Sequence, residues 1–221
     1  MSPISTAGSG RVRTTPFAPF VHLAPLAVAF LILAGAVGCA GGATFDPSGP
    51  CVADGRAPGA YPDLEALPPK TYAARPPDRL DSGRNCTDQA LGTLAEHGVD
   101  EVRFAGATWD LGSSSGVTMA IFEAEGLQAD WVAEFYEAGA RGARRVEEVT
   151  VGPIALGEAD GTRIDVLNGE SFQTVVVAAD DADRVRVVLV ASAVREIETR
   201  AAHDTRVVGA LTFWFPGSCC N

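Results

Sequence analysis

Between residues 146 and 191 the chain carries four apolar, β-branched runs joined by connections too short to hold a crossover helix, and this restricts the fold more than any other feature. The runs cover 146–151, 162–167, 172–178 and 184–191. Between them lie 157–161 with glycine at both ends, the pair Asn168-Gly169, and 180–183 with three aspartates. Gly and Asn accept the left-handed backbone of tight hairpins, and Asp caps turns through its own carboxylate. Strands linked this closely pair antiparallel. In the last run Val185, Val187, Leu189 and Ala191 share one face, while Val188 and Val190 follow Arg184 and Arg186 on the other. A strand apolar on both faces toward its end belongs in the middle of a sheet.

Upstream, 86–97 reads as a short helix capped by Cys86 or Thr87, with Ala90, Leu91 and Leu94 inward and Gly98 as its stop. The stretch 99–109 alternates in part, and the loop 112–116 separates it from a second strand over 117–124. A second helix over 129–140 carries Trp131, Phe135 and Ala138 at helical spacing, with Val132 and Tyr136 beside them; such a stripe is core more often than pocket. A last helix spans 194–211, with Ile197, Ala201, Val208 and Leu211 as its buried line and Glu196 pairing with Arg200 outside. The expectation is an α+β domain, an antiparallel sheet of about six strands against two or three helices. It occupies 81–221, preceded by a flexible tether over 39–80 that holds eight prolines after residue 40. Tyr61, Leu64, Leu67 and Tyr72 are the tether's few anchors, read as clips onto the domain surface.

The chain begins differently. Arg11 and Arg13 precede an apolar run over 17–38 that holds no acid, Lys or Arg, and the first acidic residue is Asp46. That asymmetry keeps an N-terminus cytoplasmic while the following chain is exported. The compact centre at 23–33 is followed by small residues ending in Ala36, Val37, Gly38 and Cys39. On those four residues the leader resembles the signal peptide of bacterial lipoproteins. The resemblance implies cleavage after residue 38, a diacylglyceryl group on the Cys39 thiol, and a domain anchored in a membrane of the cell envelope by its acyl chains. Without cleavage the same 22 residues are long enough to cross a bilayer as a helix. Ordinary secretion is the third outcome, and all three leave the domain outside the cytoplasm.

Removal of 1–38 leaves 183 of 221 residues, and loss of two Arg with no acid moves the formal charge from −11 to −13. Such an acidic chain with no basic block excludes nucleic acid as a partner, since that binding needs Lys and Arg against phosphates. Four further cysteines, Cys51, Cys86, Cys219 and Cys220, favour disulfides in an exported protein. Adjacent cysteines close only a strained ring. The two remaining pairings each tie the tail to both Cys51 and Cys86, worth at most about 4–5 kcal/mol for loops beyond a hundred residues.

The run Gly161-Thr162-Arg163-Ile164-Asp165, then Thr174-Val175-Val176-Val177, the strand over 185–191 and the helix ending Ala210-Leu211-Thr212-Phe213 resemble the C-terminal half of PsbP-like domains. That resemblance implies a scaffold for docking and carries no catalytic signature.

Candidates for chemistry are few. His97 sits in a last helical turn, His203 beside Asp204 on a helix, and Ser113 to Ser115 lack a nucleophile elbow. The Asp180, Asp181, Asp183 turn is short for calcium and reads as a solvated hairpin tip. Neither a metal nor a cofactor is indicated. The sequence therefore points to an exported, membrane-anchored, non-catalytic domain that binds an envelope protein or a small ligand. An exported enzyme of unrecognised type and a structural spacer are the alternatives. A polar pocket holding His203 or glutamates would favour the enzyme, and an exposed apolar patch at Trp109, Trp131 or Trp214 a protein partner.

Overall fold

A computed structural model describes residues 45–197 and 199–215. The leader, Cys39, Cys219 and Cys220 lie outside the described residues. The fold is an open antiparallel sheet of eight strands with five helices. In chain order these are β1 (Gly55–Ala57), α1 (Pro62–Glu65), β2 (Arg79–Asn85), α2 (Asp88–Leu91), α3 (Thr93–Glu96), β3 (Val102–Gly112), β4 (Ser115–Glu123) and α4 (Ala129–Gly142). The remainder is β5 (Val146–Leu156), β6 (Ala159–Asn168), β7 (Ser171–Ala179), β8 (Arg184–Ala193) and α5 (Arg200–Trp214). From α2 onward the order of helices and strands is the expected one, except that the single helix expected over 86–97 is split at Gly92, whose φ is 54°, into α2 and α3. The strand count is eight rather than about six because β1 and β2 arise from residues 55–57 and 79–85, where the patterning is weak.

The spatial order is β1-β2-β3-β4-β8-β7-β6-β5. Two meanders are thus joined side by side, and β8 sits between β4 and β7, with Met119 and Val176 both opposite Val188. Helix α4 connects the meanders by carrying the chain from β4 at the centre to β5 at the far edge. It crosses one face of the sheet, packing on β5, β6 and β7. Helix α5 returns over the opposite face, against β7 and β8. The α4 face is packed by Val102, Phe104, Phe122, Ile164, Val175, Val177, Val185 and Val187. The α5 face is packed by Trp109, Val117, Met119, Val176, Val188 and Val190 against Val207, Leu211 and Trp214. Each such side chain, fully removed from water, contributes roughly 1.5–3 kcal/mol.

Residues 45–80, expected as a flexible tether, lie against the sheet over their described length. Strand β1 adds to the β2 edge, and Leu64 and Tyr61 are buried against Ala105 and Ile121. Gly83 makes this approach feasible, since a Cβ there would collide with the Gly55 carbonyl. The Arg84 guanidinium, itself almost fully buried, donates to the carbonyls of Asp46, Gly49 and Pro50 at 2.7–2.8 Å. Asp54 accepts from the Cys86 and Thr87 amides at 2.6 and 2.9 Å. Beside these bonds Cys51 is joined to Cys86. This corrects the expected pairing of both residues with the tail: Asp54 and Arg84 bring the two Cα atoms to 5.5 Å, within disulfide reach. The 35-residue separation is worth about 3.5–4 kcal/mol in the chain-entropy model.

Helix α5 also departs from expectation. It begins at Arg200, where Thr199 accepts the Ala202 amide, and not at 194. Its buried line is His203, Val207, Ala210, Leu211 and Trp214, whereas Ala201 and Val208 are exposed. Glu196 lies before the helix and accepts from Ser115 Oγ at 2.9 Å, so it makes no pair with Arg200. The serines at 113 and 115 hold its carboxyl below the ordinary range. Among the described residues no helix is long and apolar enough to cross a membrane.

Candidate functional site

The helices do not finish both faces equally. On the α5 face the segment over 60–75 continues the cover toward the β2 side, with Tyr72 against Trp109 and Phe213 at 5.6 Å. On the α4 face, α4 lies over β5 to β7, and α2 and α3 cover only the end of β3 near Val102. Among the described residues, the lower half of β3, β4 and β8 on this face therefore has no helix above it. The residues that point there are small: Gly106 and Thr108 on β3, Thr118 and Ala120 on β4, Ala191 on β8. A cleft of about 440 Å³ results, closed at its inner end by Phe104, Phe122 and Tyr136 and along one side by Val187 and Leu189. This volume falls in the range of small-molecule sites.

The floor is low by composition. A Cβ built on Gly106 would meet the Ala120 Cβ at 3.6 Å and the Thr118 Cγ2 at 3.9 Å, ordinary contacts that leave room above. Its polar groups are hydroxyls. Thr108 and Thr118 share a hydrogen bond of 3.1 Å across the strands. Burial pushes the Tyr136 hydroxyl well above the usual phenol range. At the mouth stand Asp78, Arg79, Asp110 and the turn Ser113-Ser114, whose φ values of 49° and 70° make it a two-residue hairpin turn. The flexible loop expected over 112–116 is thus mostly strand. A second recess of about 470 Å³ adjoins the mouth, sharing Ser113, Ser114 and Ala191 and adding Asn168, Gln173 and Arg195.

The chain matches no protein-family model, no curated protein and no solved structure. Any account of this site rests on its own geometry.

His97 and His203 occupy structural positions. His97 caps α3, stacks on Trp131 at 4.7 Å and lies 2.7 Å from Glu134, tying α3 to α4. His203 is fully buried on α5, with Nδ1 2.9 Å from Ser192 Oγ and Nε2 2.9 Å from Thr174 Oγ1. Arg206 donates to Ser192 at 3.2 Å, and Thr174 donates to the Asp165 carboxylate. With both ends of this chain set, Ser192 donates to Nδ1 and Nε2–H donates to Thr174, which assigns a neutral ring. Desolvation, followed by the Arg200 charge, lowers its pKa to about 4. Ser192 and His203 stand at the distance of a nucleophile and its base, but both are fully buried and line none of the recesses described. Their partners make them a polar seam that pins α5 to β7 and β8.

Trp109 and Trp214 are buried and Trp131 is half-buried. In α4 the sheet-facing residues are Val132, Ala133 and Tyr136, while Ala138 is exposed. The expected stripe of Trp131, Phe135 and Ala138 is therefore rotated by about one residue, because Phe135 packs on Gly92 of the α2–α3 junction. Asp180 pairs with Arg186 and Arg184, Asp181 with Arg184, and Asp183 accepts the Gly126 amide. No cluster of three or more metal-type ligands occurs among the described residues.

Sequence reading did not find the cleft. Its signal was present in the alternation: Gly106, Thr108, Thr118 and Ala120 put four small residues on one face of adjacent strands whose other face holds Trp109, Val117 and Met119.

Proposed function

We propose that this protein is an exported, lipid-anchored, non-catalytic domain that binds a small ligand in the cleft beside α4, over β3, β4 and β8. The observation that carries the binding reading is the uncovered patch of sheet floored by Gly106, Ala120 and Ala191 beside an aromatic inner wall. Apolar, concave and bordered by a few placed hydroxyls, it has the make-up of a ligand site. The anchor rests on the leader ending at Cys39, and the Cys51–Cys86 bond suits an oxidising compartment.

Two measurements test the two parts. Cys39→Ser in the full-length protein abolishes partition into a detergent phase if Cys39 carries the lipid, and unchanged partition overturns the anchor. For the cleft, the neutral dye N-phenyl-1-naphthylamine brightens and saturates at one per chain, and Gly106→Leu, whose side chain grows into the cleft, removes that signal while the far-UV circular dichroism is kept. Equal dye binding by the folded variant overturns the cleft as the binding site.

A further inference from the structure

We infer that the ligand of this cleft is an uncharged amphiphile, an apolar molecule carrying a hydroxyl, ester or ketone oxygen that receives a hydrogen bond from Tyr136. This deepens the cleft reading and depends on it. The Tyr136 side chain lines the inner end beside Phe104 and Phe122, packed edge-on to Phe122 at 6.2 Å. The residue is only 7% exposed, and no hydrogen bond from its hydroxyl is made to any described residue, burial being the sole influence on its titration. The Tyr136 hydroxyl oxygen is not among the buried side-chain atoms that lack a partner, so the residue's remaining exposure lies at the hydroxyl, which opens to the cleft. A ligand oxygen at the inner end takes the place of water there.

Charge selects further. The inner wall of Phe104, Ala120, Phe122, Val187 and Leu189 holds no cation, and an anion buried there would be unpaired. At the mouth Asp78 is paired with Arg75 at 2.6 Å, Arg79 stands beside Asp110, and Arg195 donates to the Ser113 carbonyl, so the charges there are balanced. An anionic amphiphile is therefore disfavoured at the inner end of the cleft. An uncharged one meets Tyr136 with its oxygen, lays its apolar body over Gly106 and Ala120, and presents any further hydroxyls to Thr108, Thr118 and the serine turn.

The test displaces N-phenyl-1-naphthylamine with 1-monolauroylglycerol and with laurate, each below its aggregation threshold at pH 7. The glyceride is expected to displace the dye at a concentration at least tenfold lower than laurate. In Tyr136→Phe the glyceride weakens about 5- to 10-fold while dye affinity is unchanged, because the dye does not require the phenol as donor. Laurate acting as well as the glyceride, or a Tyr136→Phe variant that binds the glyceride as tightly as wild type, overturns the inference and leaves the cleft reading standing. Absence of dye binding by the wild-type protein overturns both.

Discussion

The two faces of the sheet share their strands and are completed in opposite ways. Over the α5 face the large side chains Trp109, Met119, Val176, Val188 and Val190 are buried, and even the polar residues His203, Thr174 and Ser192 are buried with partners. Over the α4 face the covering helix passes to the far half, and the strands beneath the gap carry Gly, Ala and Thr. Covering the α5 face maximises buried area, while the gap on the α4 face leaves stabilisation unrealised. The difference teaches that the gap is not a shortage of helix, since α4 is 14 residues long, but a consequence of where the crossover lands.

That contrast is most open to refutation through His203. His203→Ala removes a buried ring and leaves Ser192 and Thr174 without it, so a loss of about 3 kcal/mol is expected in urea denaturation. A loss below about 1 kcal/mol would mean the α5 face is not sealed. The same ring sets a pH dependence. An unfolded histidine titrates near 6.5 and the folded one near 4, so between these values only the unfolded chain takes up the proton. The contribution is fully present above pH 6.5 and falls away on acidification toward 4, by about 2–3 kcal/mol. In His203→Ala that part of the pH profile should flatten, and an unchanged slope would place its origin elsewhere.

Smaller effects are expected on the open face. Gly106→Val puts a β-branched residue in a central strand with room above it and should raise stability by about 0.5–1 kcal/mol. A loss above 2 kcal/mol would show that the cleft is closed in solution. At the edge of the sealed face, Ala73 and Ala74 hold φ values of 49° and 61° in the turn that presents Tyr72 to Trp109. Ala74→Gly relieves one of these and should add about 1 kcal/mol or less, read as a small rise in Tm. No gain would mean that the turn relaxes in solution.

Much of the architecture was legible before any coordinates. The hairpin after β6, whose loop falls one residue on at Gly169-Glu170 with Asn168 accepting the Glu170 and Ser171 amides, the turn at 180–183, the central place of β8, the cap at Thr87 and the stop at Gly98 are each decided by a few adjacent residues. The strands β1 and β2 were not legible, because Gly55 and Gly83 pair through backbone at close approach and leave no side-chain pattern. Nor was the face of α5, where a histidine is buried only because Thr174 and Ser192 arrive from two other strands.

By itself the sequence determined the local conformations and the antiparallel hairpins, since turn chemistry and side-chain period act between neighbours. It also determined the leader's apolar character and charge asymmetry. The tertiary structure alone decided which cysteines meet, which side of α5 turns inward and where the sheet stays uncovered. Each of those depends on a crossover helix landing on distant strands, and no run of neighbouring residues encodes that distance.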